Sequence, residues 1–180
     1  MASALIIVDY QNDFAHPDGA LSVPGGEEVA EHINALAASG DYELVLATRD
    51  WHPPDHGSFR EQGGIWPVHC VQGSDGAELH AALDTEPVDV IVDKGQDSST
   101  DGYSGFEGTN LEAILKEHGI TQVTVVGLAT DYCVKNTALD ALRAGFQVTI
   151  DTTAGRGVEV EAGDSERALA EVRAAGGVMA

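Results

Sequence analysis

The sequence predicts an α/β fold: a three-layer α/β/α sandwich around a mostly parallel central sheet. Three observations carry this. Short runs of apolar, often β-branched residues recur along the chain. They are apolar at nearly every position, as strands buried on both faces are. Helical patterns lie between them, and such alternation implies parallel pairing through right-handed crossovers.

The first strand is Ala4–Val8, followed by a glycine-rich turn and a helix near Glu27–Ala38. Glu43–Ala47 is the second strand and Val88–Val92 the third. A helix over about Asn110–Glu117 follows. Thr109 and Glu112 supply a capping-box pattern at its start, and Gly119 stops it. Gln122–Val126 is the fourth strand. The next helix, from about Asp131 to Arg143, places Val134, Ala138, Ala141 and Leu142 on one face. Gly145 ends it, and Phe146–Ile150 is the fifth strand. A last helix near Ser165–Ala174 leads to a short tail strand, Gly177–Met179. No repeat, linker or low-complexity segment interrupts this order, so residues 1–180 read as one domain. At 180 residues and 43% hydrophobic content, the chain is long enough for its own core.

The formal charge is -21, from 30 acidic and 9 basic residues. Nucleic-acid binding needs clustered Lys and Arg, which the sequence lacks. An anionic membrane would repel this chain for the same reason. Two readings of the acidity stay open: a soluble acid-rich surface, or adaptation to high salt. Cys70 and Cys133 form no CxxC pattern. The N-terminus has no basic segment before its short apolar run, unlike a signal peptide. No stretch approaches the roughly 20 apolar residues of a membrane span. The expectation is a reduced, cytoplasmic protein.

One region breaks the rhythm. From Arg49 to about Gly76 periodicity is weak, and Gly, Pro, His and Trp concentrate. Loops this long are usually functional. In parallel sheets, ligands bind beyond the carboxyl ends of the strands. Asp9, Asp50, Lys94 and Asp131 with Cys133 fall at those ends.

Cys133 is expected in the first turn of a helix, where partial positive charge favours a thiolate. Alone, a helical cysteine is more often a small buried hydrophobe. Asp9 suits a general base or, equally, a loop-capping carboxylate. Lys94 suits a snorkelling surface lysine or a cation that stabilises negative charge. Asp50, His52 and His69 offer one carboxylate and two imidazoles, a set suited to one divalent ion such as Zn, Fe or Mn. Scattered surface histidines are the alternative. Phe14, Trp66 and Tyr103 are core residues or the walls of a slot for a flat ring.

Together these segments resemble the nicotinamidase/pyrazinamidase group of the isochorismatase-like hydrolases. The matching pieces are LIIVDYQNDF (Leu5–Phe14), TRDWHPPDHGSF (Thr48–Phe59), WPVHC (Trp66–Cys70), DKG (Asp93–Gly95), YSGFEGT (Tyr103–Thr109) and VVGLATDYCVKNTA (Val125–Ala138). They span about three quarters of the chain in order. The D-W-H-P loop with W-P-x-H-C is the most specific piece.

The resemblance implies the isochorismatase-like hydrolase fold and a catalytic triad of Asp9, Lys94 and Cys133. It implies metal ligands Asp50, His52 and His69, and a pocket walled by Phe14, Trp66, Tyr103 and Tyr132. It implies an oxyanion hole from the N–H groups of Ala129 and Cys133, with a cis peptide between Ala129 and Thr130. His56, in its short D-W-H-P-P-D-H spacing, is expected behind the ligands, with Glu61 or water completing the sphere. The implied reaction converts nicotinamide to nicotinate and ammonia through a Cys133 thioester, with pyrazinamide as a second substrate and NAD salvage as the setting. The implied partner is a small pyridine carboxamide; a homo-oligomer is left open. Two alternatives remain: an amidase of the same superfamily acting on a non-aromatic amide or carbamoyl compound, and a catalytically silent metal-binding module.

Overall fold

The structure, a computed structural model, describes residues 1–180. Six strands form one sheet: β1 (Ser3–Val8), β2 (Leu44–Asp50), β3 (Val90–Lys94), β4 (Gln122–Leu128), β5 (Gln147–Arg156) and β6 (Val178–Met179). Their order is β3-β2-β1-β4-β5-β6, and every pairing is parallel. The expected mostly parallel sheet is thus wholly parallel. The helices are α1 (Asn12–Ala15), α2 (Ala30–Ala37), α3 (Leu111–Glu117), α4 (Lys135–Arg143) and α5 (Asp164–Ala174).

Side-chain alternation along β1 explains the three layers. Ala4, Ile6 and Val8 enter one core, with Leu111 and Leu115 of α3, Ala138 of α4 and Val172 of α5. Leu5 and Ile7 enter the other, with Phe14 of α1, Ile33 of α2 and the loop residues Cys70 and Ala77. A strand apolar on both faces can sit only inside such a sandwich. No helix is long and apolar enough to cross a membrane.

Several boundaries differ from expectation. The third strand ends at Lys94, two residues later than Val92, because Asp93 and Lys94 pair across the sheet with Arg49 and Asp50. Arg49 Nε donates to Asp93 Oδ1 at 2.7 Å, so polar residues continue the strand there. The fifth strand runs on to Arg156 through a half-exposed polar segment that carries no apolar signal. The helix expected near Glu27 opens with a 3₁₀ turn at Gly26–Val29. The capping box at α3 is incomplete. Thr109 Oγ1 accepts the Leu111 N–H at 3.2 Å, while Glu112 pairs forward with Lys116.

The chain moves outward from β1 to β2 and β3, then returns to the other side through β4. That reversal opens a crevice at the carboxyl edge beside β1, the usual ligand position in such sheets.

Candidate active site

Four strand ends deliver ionisable groups to this edge. Asp9 follows β1 with φ at 49°, uncommon outside glycine. Its N–H donates to Thr48 O at 3.1 Å, and Thr48 Oγ1 donates to Asp9 Oδ1 at 2.8 Å. Lys94 closes β3 in register with Asp50, the last residue of β2. Cys133 lies in a single π-helical turn, Thr130–Val134, between β4 and α4.

Lys94 is the hub. Its Nζ lies 2.6 Å from Asp50 Oδ1 and 2.9 Å from Asp9 Oδ2. It also donates to Gly102 O at 2.9 Å and contacts Cys133 Sγ at 3.5 Å. Asp9, Asp50, Lys94 and Cys133 are all buried. A buried charge is costly unless paired, and two carboxylates pair this one. The Asp9 Oδ2 contact is an ion pair outside hydrogen-bond geometry, so that oxygen keeps a lone pair without a donor. Asp9, Asp50 and Cys133 have ligand-type atoms within 4.8 Å of one another. A proton leaving the thiol has a short path to Asp9.

Burial dominates the protonation states. It disfavours the Lys94 ammonium, but Asp50 and Asp9 outweigh it and hold Lys94 well above the usual lysine range. Burial raises Asp9, with Lys94 opposing. Burial also lifts the Cys133 thiol well above its ordinary value, against the pull of Lys94. The thiolate expected from the helix end is therefore not the resting form. The thiol starts protonated and needs a base.

Asp50 faces two ways. Oδ1 meets Lys94, while Oδ2 lies 3.3 Å from His52 Nε2 and 3.8 Å from His69 Nε2. The donor atoms of Asp50, His52 and His69 all lie within 4.8 Å of one another. His52 Nδ1 meets Gly95 O at 2.7 Å, and His69 Nδ1 meets Pro67 O at 2.8 Å. A carbonyl only accepts, so each Nδ1 carries a proton, and in the neutral ring each Nε2 has a lone pair to offer a metal. Ligating histidines are oriented in this way. The three residues therefore fit one divalent ion. His56 differs: its Nδ1 accepts the Ser58 N–H at 3.2 Å, which leaves the proton of the neutral ring on Nε2. His56 stands outside the donor set, its ring tilted by 33° against that of His52 with 4.0 Å between centroids. Glu61 is exposed on a 3₁₀ turn and also stands outside it.

A pocket at the edge joins the Lys94 cluster to the histidine set. Phe14, Trp66, Tyr103 and Tyr132 all line it, as do Ala129 and Cys133. Trp66 Nε1 donates to Tyr103 Oη at 3.0 Å, and its ring meets Tyr132 edge-on at 5.0 Å. The cis peptide lies between Leu128 and Ala129, one bond earlier than expected. β4 stays in register through Leu128, so the chain leaves the sheet at that bond.

Leu21, Ser58, Asp101 and Val158 also line the pocket. They sit in segments without periodicity, and no sequence signal marked them. Gln11 was missed too, although a glutamine directly after an apolar strand was a usable cue. Its carboxamide accepts the Asp50 N–H at 2.8 Å and donates to Asp50 O and Ala77 O, each at 2.8 Å. It continues the β1–β2 ladder by side chain.

A protonated thiol, an adjacent carboxylate, a buried cation and an aromatic slot ending in three metal-type donors suit covalent attack on a carbonyl attached to a flat ring. Comparison with known proteins points the same way. The family model described as the isochorismatase domain matches residues 3–180. The nicotinamidase/pyrazinamidase of Mycobacterium tuberculosis is 45% identical, with 96% of this chain and 95% of that protein covered. The pyrazinamidase of Pyrococcus horikoshii, solved in complex with zinc, superposes with a TM-score of 0.91 at 44% identity, covering 100% of this chain and 99% of that one. PnC1 from L. infantum, solved in complex with nicotinate, superposes with a TM-score of 0.95 at 39% identity, covering 99% of this chain and 92% of that one.

Proposed function

Because this chain belongs to the isochorismatase family, we propose that its pocket hydrolyses nicotinamide, and pyrazinamide, to the ring acid and ammonia. The observation that carries this is the shared Asp50, whose two oxygens tie the Lys94 cluster to the imidazole pair.

Asp9 takes the proton from Cys133 Sγ, and the thiolate attacks the carboxamide carbon. Lys94 holds the negative charge of Asp9 and of the developing thiolate. The N–H groups of Ala129 and Cys133 receive the oxyanion. Asp9 then gives its proton to the departing ammonia. Water hydrolyses the thioester, with Asp9 again as base. Phe14, Trp66, Tyr103 and Tyr132 hold the ring flat. Asp50, His52 and His69 would hold one divalent ion: Zn, Fe or Mn. When bound, that ion supplies a Lewis-acid anchor for the ring nitrogen, which is orientation more than activation. Release of nicotinate places the reaction in NAD salvage. A reducing, cytoplasmic setting suits a nucleophile that must stay a thiol, and both cysteines are free.

Ammonia release from four amides tests this. Nicotinamide and pyrazinamide carry a ring nitrogen meta to the carboxamide-bearing carbon; benzamide has none, and picolinamide has it elsewhere. A reacting carbon misplaced by about 1 Å costs roughly 100-fold. Rapid turnover of the first two and at least about 100-fold lower kcat/KM for the others are expected. Comparable kcat/KM for benzamide and nicotinamide would refute anchoring of the ring nitrogen. No ammonia from any of the four would refute amide hydrolysis of this class.

A further inference from the structure

One residue that lines the pocket is held in place by a buried carboxylate that the mechanism does not use. We propose that Val158, locked by Asp131, restricts the pocket to rings without an added substituent on its side. This rests on the pocket taking a pyridine carboxamide.

Val158 lines the pocket from the connection between β5 and α5. Asp131, two residues before Cys133, is buried. Its Oδ1 accepts the Val158 N–H at 2.9 Å, and its Oδ2 accepts the Glu159 N–H at 2.8 Å. A buried carboxylate needs such partners, and backbone N–H groups hold it firmly. The next link continues the chain of contacts. Glu159, at a φ of 56°, accepts the N–H groups of Asp164 and Ser165 at 2.9 and 3.3 Å, where α5 begins. On the other side, a Cβ at Gly157 would stand 1.8 Å from Ser165 Oγ. Val158 is therefore held through its own N–H and that of Glu159, with Gly157 packed close to Ser165, although Val160, two residues on, is 61% exposed. A wall fixed in this way cannot retreat from a larger ring. In an apolar pocket, one added methyl group changes kcat/KM by roughly 10- to 200-fold. Asp131 is thus a positioning residue, and Val158 a specificity-determining one.

The test compares kcat/KM for nicotinamide with that for each of its four ring-methylated derivatives. Wild type should reject at least one derivative by about 10-fold or more. Val158→Ala should recover that derivative by about 10-fold relative to nicotinamide, and Val158→Ile should reject it more strongly. Asp131→Asn turns one acceptor into a donor facing a backbone N–H. It should relax rejection at the same ring position by a smaller factor, about 3-fold. A purely structural role for Asp131 would lower all substrates alike and leave the ratios fixed. Ratios within about 2-fold of wild type in both Val158 variants would overturn the proposal, as would a wild type that accepts every derivative. If wild type released no ammonia from nicotinamide, the underlying reading would fail separately. The wall would then be read from calorimetric dissociation constants of nicotinate and its methylated forms, with the same ratios deciding.

Discussion

The Lys94 cluster and the histidine set share Asp50, yet they are held in opposite ways. Asp9, Asp50 and Lys94 sit at the ends of three neighbouring parallel strands, and sheet register alone aligns Asp50 with Lys94. The histidines ride on the long connection between β2 and β3, where little repeats. Individual contacts hold them there. His52 takes part in an isolated bridge to Val71, with its N–H on Cys70 O at 2.9 Å. Its ring rests against Gly95, where a Cβ would stand 2.6 Å from His52 Cε1. Gly95 also has a φ of 69°, so two separate constraints demand glycine there. One half of the site is thus built by topology and the other by local fit. Damage to the first should be chemical and severe, while damage to the second should be graded by contact.

The largest effect expected falls on the first half. Cys133→Ala removes the nucleophile but leaves Lys94 paired with both carboxylates. Turnover of nicotinamide should fall by orders of magnitude, with nicotinate binding still detectable by calorimetry. Turnover within about 10-fold of wild type would rule out covalent catalysis and break the contrast between the halves.

The histidines sharpen that contrast. His52→Ala and His69→Ala each delete a donor whose Nε2 faces Asp50, and stoichiometric metal should be lost. His56→Ala deletes a neighbouring ring whose Nε2 carries a proton, and metal should be kept with roughly 10- to 100-fold weaker affinity. Metal content after dialysis and titration reads this without reference to activity. Loss of stoichiometric metal in His56→Ala would make His56 a direct ligand, with its tautomer reversed.

The same contrast explains what was legible in the sequence. Strands betray themselves by composition, so the ends carrying Asp9, Asp50, Lys94 and Cys133 could be located within three residues. Even there, polar pairing hid the last rungs: Asp93 and Lys94 looked like loop until Arg49 and Asp50 were seen opposite them. The helix-end effect on Cys133 was argued from position alone. It gave way to burial, which a sequence does not display. In the loop, residue types suggested metal, and the resemblance supplied the roles. Geometry was out of reach, because Nδ1–carbonyl contacts depend on how the chain folds back. Val158 and Leu21 left no trace, since a pocket wall in an irregular segment has no period. The resemblance placed the cis bond at Ala129–Thr130, one residue later than the Leu128–Ala129 bond observed.

The smallest effect expected concerns the other cysteine. Cys70 lies beside His69, in the loop half of the site, and is buried and free like Cys133. Burial lifts its thiol well above the ordinary range, as it does for Cys133, and the Asp50 and Asp9 carboxylates push it further the same way. The two thiols differ in their neighbours. Cys133 Sγ has Lys94 Nζ at 3.5 Å, whereas Cys70 Sγ has only Gly76 O at 3.9 Å. The contact that orients this segment comes from the backbone, where the Cys70 N–H donates to Asp13 Oδ2 at 2.8 Å. Cys70→Ala keeps that bond. Alanine bears the same φ of 46° at a cost similar to that for cysteine. What is lost is one small buried group and its contacts, worth about 1–2 kcal/mol with a partly collapsed cavity. For a chain of this length, that corresponds to a fall in Tm of roughly 2–8 °C. kcat/KM for nicotinamide should stay within about 3-fold of wild type, and metal content should not change. A collapse of turnover in a variant that melts cooperatively and retains metal would show that a neutral thiol can matter here without a cation beside it. The contrast between the two halves would then have to be drawn on other grounds.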